Sequence, residues 1–237
     1  GNQLMDEFFA KFKMVGMPAG NTGAQMGGWW RKEVNTLDDM KGVKFRVGGF
    51  GGAVLAKLGV VPQNIPGGDI YPALEKGTID AAEWVGPYDD QKLGFDKVAK
   101  YYYYPGWWEG GATLHLFVNA DQWNSLPKAY QAIVRTAAAQ INVDMQAQYD
   151  ALNPKALREL VGRGVQLRAF SPEILSACFD AATQTYAEMS AKNESFKKVY
   201  ESMRAFRNET FLWEQVADGT YDNFMFSQQR AGKLNPG

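Results

Sequence analysis

Lys44-Phe-Arg-Val-Gly-Gly-Phe-Gly-Gly-Ala-Val-Leu-Ala-Lys-Leu58 is the stretch from which the fold can be read. Lys44 to Val47 reads as a strand, the run Gly48-Gly-Phe-Gly-Gly follows at once, and Ala53 to Leu58 reads as a helix. That order presents backbone N–H groups at a helix N-terminus, which suits an anion. The glycines do not fit a dinucleotide fingerprint, because Val54 stands where the third Gly or Ala is required, and no Gly-Lys-Ser/Thr occurs anywhere in the chain. A nucleotide site is therefore disfavoured.

Working outward, the unit repeats. Pro66-Gly-Gly-Asp69 caps a short helix over 70–76, and 78–85 reads as a buried strand ending in Glu83-Trp84. Thr36-Leu-Asp-Asp-Met-Lys-Gly42 is a single capped helical turn. Short strands alternating with short helices predict an α/β sheet. Upstream, an amphipathic helix at Leu4 to Phe12 leads into a strand, a turn-rich break at Pro18-Ala-Gly-Asn-Thr-Gly23 and a second strand at Gln25-Met-Gly-Gly-Trp-Trp30. Downstream, the aromatic segment Tyr101 to Trp108 precedes a strand over 112–119. A long helix then runs from Pro127 to about Leu152, where Asn153-Pro154 breaks it. A short helix to Gly162, a strand over 165–170, a helix opened by Ser171-Pro-Glu and further helix to about Gln229 complete the chain.

Composition narrows the classes. The 237 residues are 46% hydrophobic and 22% charged, enough apolar material for a packed core. Lys plus Arg number 25 against 26 Asp plus Glu, so the chain lacks the positive field that collects nucleic acid or an anionic membrane. One cysteine, Cys178, excludes an intrachain disulfide and a Cys-rich metal site, and its helical setting reads as a buried thiol. One histidine, His115, lies in an alternating run and reads as a strand position rather than a base. No run of about 18 apolar residues predicts a membrane span, and the first residues lack a signal pattern. Asn193-Glu-Ser and Asn208-Glu-Thr match a glycosylation tripeptide, to which no function attaches.

Gln25, Arg46, Glu83 and Glu109 are polar or charged groups at predicted sheet ends and glycine loops, where open α/β sheets bind ligands. The planar fork of Arg46 suits a carboxylate, and a structural ion pair at the strand end is the alternative. Glu83 beside Trp84, and Glu109 after Trp107-Trp108, place acids against indoles, where they need a counter-charge or a proton. With the Gln25 carbonyl they form an oxygen set for a hard cation, sodium or calcium. Two other readings stay open. The acids could be solvated rim residues, or Glu83 and Glu109 could be the acid and base of a glycosidase with tryptophans as sugar platforms.

Four long motifs occur in one order. They are Gly20-Asn-Thr-Gly-Ala-Gln-Met-Gly-Gly-Trp-Trp30, Gly42-Val-Lys-Phe-Arg-Val-Gly-Gly49, Gly67-Gly-Asp-Ile-Tyr-Pro-Ala-Leu-Glu-Lys-Gly-Thr-Ile-Asp-Ala-Ala-Glu-Trp-Val-Gly-Pro-Tyr88 and Tyr103-Tyr-Pro-Gly-Trp-Trp-Glu-Gly-Gly111. In these the chain resembles the solute-binding proteins of TRAP transporters, most of all the subgroup that binds 2-oxo acids. The resemblance implies a periplasmic-binding-protein-like α/β fold of two domains with a long connecting helix. It also implies a noncatalytic periplasmic receptor that passes a carboxylate to a membrane permease. Arg46 matches the clamping arginine of the family. Gln25, the Glu83 side chain, the Trp84 backbone carbonyl and Glu109 match the positions around a bridging cation, with sodium expected first and calcium second. Gln25, Arg46, Trp84 and Glu109 would also face the substrate. Trp84 stands where sugar-acid-binding relatives carry asparagine, which implies a small pocket for a short 2-oxo acid such as pyruvate.

Length departs from the family, whose members carry a signal peptide and about a hundred more residues. The chain is accordingly expected to hold an incomplete first domain, residues 1–24 and 112–152, and a nearly whole second domain, residues 25–111 and 153–237. Phe211, Leu212, Trp213, Val216, Tyr221 and Phe224 lie on an otherwise polar C-terminal helix, and the resemblance permits a helix-swapped homodimer there. An enzyme acting on a 2-oxo acid or sugar acid through Glu83 and Glu109 is the competing reading.

Overall fold

The computed structural model describes residues 1–234, so the last three residues of the expected second domain, 235–237, lie outside the described residues. The described residues divide into two compact units, residues 5–185 and residues 1–4 with 186–234. In chain order the elements are α1 (Asn2–Ala10), β1 (Met14–Asn21), β2 (Trp29–Trp30), α2 (Leu37–Met40), β3 (Lys44–Arg46), α3 (Gly49–Lys57), β4 (Val61–Gln63), α4 (Gly67–Lys76) and β5 (Ala81–Ala82). There follow α5 (Pro87–Leu93), β6 (Tyr101–Tyr104), β7 (Thr113–Asn119), α6 (Ala120–Ser125), α7 (Lys128–Gly162), β8 (Gln166–Ala169), α8 (Pro172–Lys192), α9 (Glu194–Val216) and α10 (Asp218–Arg230).

Residues 5–185 carry two sheets. The larger has the strand order β4-β3-β5-β2-β6-β8, and the smaller pairs β1 with β7. Within the larger sheet β4, β3 and β5 run parallel, as do β6 and β8, while β2 is antiparallel to both of its neighbours. Successive side chains on a strand point to opposite faces, and this alternation builds two cores from paired residues. Trp30, Phe45, Ala81 and Tyr103 face one side with Leu55, Ile174 and Cys178. Trp29, Ala82 and Tyr102 face the other with Ile70, Leu74 and Leu160. Trp29 stacks on its cross-strand partner Tyr102 with ring centroids 4.0 Å apart. Helices therefore cover both faces, the arrangement the alternating pattern predicts.

Local readings hold where chemistry is specific and shift where packing decides. Thr36 caps α2 with a reciprocal bond to Asp39. Cys178 is buried, and burial pushes its thiol up to about 12, so it is an inert core group. His115 lies on β7, with its ring centroid 5.7 Å from that of Phe9 and 5.9 Å from that of Phe117. The expected break at Pro18 to Gly23 is instead largely strand, with a register shift between Pro18 and Gly20 that accommodates a residue with no N–H to donate. α3 starts at Gly49, four residues earlier than expected, and Gly52 permits close approach to β4, since a Cβ there would meet Pro62 at 3.3 Å. α4 starts at Gly67, with Asp69 inside its first turn rather than at its cap, because the Asp69 N–H already donates to Pro66 O at 3.0 Å. The expected break at Asn153-Pro154 is absent, and α7 continues to Gly162. Asn153 Oδ1 accepts from the Tyr88 N–H at 3.0 Å, and Ala156 and Leu160 beyond it are buried. That packing outweighs an interior proline's cost of about 3 kcal/mol.

In the other unit, Tyr186 stacks on Tyr200 at 4.6 Å, and Asn193 of the first glycosylation tripeptide caps α9 by accepting from Phe196 N. Neither α9 nor α10 contains a buried residue. Among the described residues, no helix is long and apolar enough to cross a membrane.

Candidate functional site

Strand directions bring the candidates to one edge. The parallel strands β3, β5 and β6 end there, and β2, running the opposite way, begins there. Residues that close β3 and follow β5 and β6 thus emerge beside those that precede β2. Arg46 is the last residue of β3, Glu83 and Trp84 follow β5, Gln25 precedes β2, and Gly106 to Glu109 follow β6. Backbone bonds fix the neighbours: Glu83 N donates to Arg46 O at 3.1 Å, Met26 N to Val85 O at 3.1 Å and Gly106 N to Gln25 O at 3.1 Å. Two glycines make this crossing possible. Gly28 adopts φ of +86°, and a Cβ there would meet Ala82 O at 2.7 Å. At Gly106 a Cβ would sit 2.9 Å from both Gln25 O and Met26 O.

The Arg46 guanidinium is largely buried. Its Nη1 donates to Glu83 O at 2.8 Å and to Glu83 Oε1 in a short ion pair, and its Nε donates to Ile65 O at 3.2 Å. Its Cζ lies 5.1 Å from the centre of the Trp84 ring, and that indole packs on Gly67, where a Cβ would meet it at 2.6 Å. These bonds use Nη1 and Nε and none of them uses Nη2, so part of the fork is open to a further acceptor. The structure thus contains the strand-end ion pair that sequence reading kept as the alternative, formed with Glu83.

Burial pushes the Glu83 carboxyl up to about 7. The Arg46 charge opposes that rise, and the charges of Glu109 and Asp90 add to it. A carboxylate so placed is short of positive charge even with Arg46 beside it. Gln25 is 8% exposed; its Nε2 donates to Thr22 Oγ1 at 3.3 Å, while its buried Oε1 has no hydrogen-bond partner. An orphaned buried acceptor costs about 1–3 kcal/mol unless a donor or cation fills it. Glu109 is exposed, on a turn closed by a bond from its N–H to Gly106 O.

The arrangement thus puts Arg46, Glu83 and Trp84 in direct contact, ties Gln25 and the 106–109 turn to the same edge, and couples Glu109 to Glu83 through its charge. Its uncompensated oxygens, Gln25 Oε1 and the Glu83 carboxylate, suit a hard cation. Among the described residues no three His, Cys, Asp or Glu side chains could hold a metal, so a cation here would rest on amide and backbone oxygens as well as carboxylate. Sequence reading put Trp107 and Trp108 beside Glu109 without a role for their N–H groups, and it missed Asp90. The indole N–H groups of Trp107 and Trp108 are buried without acceptors and are candidate donors to a ligand; their place between Gly106 and Glu109 was the available signal. Asp90, 1% exposed, sits beneath the Glu83 to Val85 segment, and nothing in Pro87-Tyr-Asp-Asp90 marks one acid as buried.

The family described as bacterial extracellular solute-binding protein, family 7, matches residues 1–193. A monocarboxylate 2-oxoacid-binding periplasmic protein of Nostoc sp. is 49% identical over 97% of this chain, which spans only 63% of that protein's length. A TRAP-transporter solute-binding protein from Bordetella bronchiseptica, solved as a mixed-occupancy dimer with calcium and picolinate in one active site and an apo site besides, superposes with a TM-score of 0.95 at 49% identity. That match covers 98% of this chain and 69% of the Bordetella one. A TRAP periplasmic solute-binding protein from Pseudoalteromonas atlantica with bound sodium and pyruvate gives a TM-score of 0.90 at 41% identity, over 94% of this chain and 68% of that one.

Proposed function

Because this chain belongs to family 7 of the bacterial extracellular solute-binding proteins, a family of receptors rather than enzymes, we propose that it binds a short 2-oxo monocarboxylate of pyruvate type in the periplasm. In this reading the ligand carboxylate meets Arg46 and a hard cation, sodium first and calcium second, bridges ligand and protein. The Gln25 carbonyl, Glu83, the Trp84 carbonyl and Glu109 supply the protein's oxygens, and Gln25, Trp84 and Glu109 also border the substrate. The receptor delivers its cargo to the membrane permease of a TRAP transporter. Residues 1–24 and 112–152 belong to one domain, and 25–111 with 153–237 to the other. Support comes from relatives that carry pyruvate with sodium or picolinate with calcium. The observation that carries the reading is Gln25 Oε1, a buried oxygen with no donor at the same sheet edge as the Arg46–Glu83 pair.

Tryptophan fluorescence tests it, since Trp84, Trp107 and Trp108 line the proposed site. Titration with pyruvate is expected to give saturable quenching in sodium buffer, and weaker binding in sodium-free buffer with chelator. No response in either buffer contradicts the reading. Release of the ligand unchanged after hours of incubation separates a receptor from the acid-base enzyme that Glu83 and Glu109 could otherwise form.

The same reading includes a helix-swapped homodimer. Phe206, Leu212, Trp213 and Val216 are 69%, 71%, 68% and 72% exposed, and the Bordetella relative is a dimer. Sedimentation showing only monomer at high concentration removes that part.

A further inference from the structure

The peptide between Trp84 and Val85 is held from below by a buried acid. Val85 N donates to Asp90 Oδ1 at 3.1 Å, while Asp90 Oδ2 accepts from the Tyr102 hydroxyl at 2.6 Å and from Trp29 Nε1 at 3.0 Å. Three donors converge on one side chain, and an ionised carboxylate satisfies all of them because it only accepts. Among the described residues no Lys or Arg forms an ion pair with Asp90, although it is 1% exposed. Buried charges of this kind are costly unless something nearby offsets them. Burial pushes its carboxyl up to about 6, against the pull of the bonds from Tyr102, Trp29 and Val85.

A trans peptide is planar, and its N–H and C=O point in opposite directions. The Trp84–Val85 bond is trans, so an N–H aimed at Asp90 turns the Trp84 carbonyl away from the core carboxylate. Donation to an anion also polarises the peptide and raises the negative charge on that carbonyl oxygen. On the other side of the next residue, Val85 O accepts from Met26 N, which fixes the segment to the backbone beside Gln25.

We propose that Asp90 is the positioning residue of the cation site: it orients and charges the Trp84 carbonyl through the shared Trp84–Val85 peptide. The inference rests on the proposed receptor function and deepens it, since a bound cation would also supply the positive charge that Asp90 lacks. It differs from a plain core staple in what it predicts. A staple holds the fold, whereas a positioning carboxylate sets cation affinity.

Calorimetric titration with Ca2+ at a fixed, saturating pyruvate concentration tests it. Asp90→Asn is expected to weaken Ca2+ binding by about 10- to 100-fold, the range for loss of a group that orients a metal ligand. Tyr102→Phe removes a donor to Oδ2 and leaves the Val85 bond, so it should lower Tm yet keep Ca2+ affinity within about threefold of wild type. Wild-type affinity in the Asn variant, or an equal loss in Tyr102→Phe, overturns the inference. Should the Asn variant fail to fold, the wild-type protein still decides. Ligation of the Trp84 carbonyl must shift the Val85 amide nitrogen resonance as Ca2+ is added, and an unmoved Val85 at saturation contradicts the proposal. Absence of any Ca2+ binding by wild type would sink the receptor reading and this inference together; normal wild-type binding with an unaffected variant sinks this inference alone.

Discussion

In the six-stranded sheet Trp29 and Trp30 are 0% and 1% exposed, whereas in the β1–β7 ribbon Leu114, Leu116 and Phe117 remain 47%, 40% and 49% exposed. Both regions are rich in large apolar residues. The larger sheet has helices on both faces, so adjacent residues such as Ala81 and Ala82 each enter a core. The ribbon has a smaller core around Met17, Trp123 and Ala138, and the ring of Phe9 from α1 lies beside Phe117. Arg46, Glu83, Trp84 and Gln25 all belong to the edge of the doubly covered sheet, tied there by bonds such as Glu83 N to Arg46 O and Met26 N to Val85 O. A site that must hold a charge pair and an orphaned oxygen in fixed geometry needs that support.

Variants in the two sheets sharpen the contrast. Trp30→Ala removes a fully buried indole and is expected to cost about 3–5 kcal/mol, read by denaturant unfolding. Arg46→Ala should leave the fold intact and weaken pyruvate binding about 100-fold, as loss of a buried charged partner does. Arg46→Lys keeps the charge but not the fork, so partial recovery would separate charge from geometry. A smaller effect concerns pH. Asp90 binds its proton more tightly folded than unfolded, so its contribution to stability is present below about pH 4 and lost as pH rises through about 6. Without added cation, Asp90→Asn should therefore flatten the fall in Tm between those values. Smallest of all, Leu114→Ser on the ribbon should change stability by about 1 kcal/mol or less. A loss there comparable to that of Trp30→Ala would erase the distinction between the sheets.

The same contrast explains what was legible in the sequence. Caps and strand-glycine-helix order depend on local chemistry, so Thr36 and the strand from Lys44 were readable, the strand one residue too long at Val47. Pro154 was not, because the packing of Ala156 and Leu160 comes from segments distant in sequence. The α/β fold and the sheet-end placement of the candidate residues followed from alternation, but the pairing of Arg46 with Glu83 did not. Nothing in their spacing of 37 residues shows that β3 and β5 are neighbours. Asp90 was invisible for a related reason: Trp29 and Tyr102, which make its burial possible, come from two other strands.

The central claim, a carboxylate held jointly by Arg46 and a cation, is tested most directly by diffraction from crystals grown with calcium and pyruvate, recorded where calcium scatters anomalously. One anomalous peak is expected about 2.3–2.6 Å from Gln25 Oε1 and the Trp84 carbonyl oxygen. A pyruvate carboxylate is expected against the Arg46 guanidinium. Pyruvate bound with no cation beside it, or a calcium peak away from the edge of the six-stranded sheet, would contradict it.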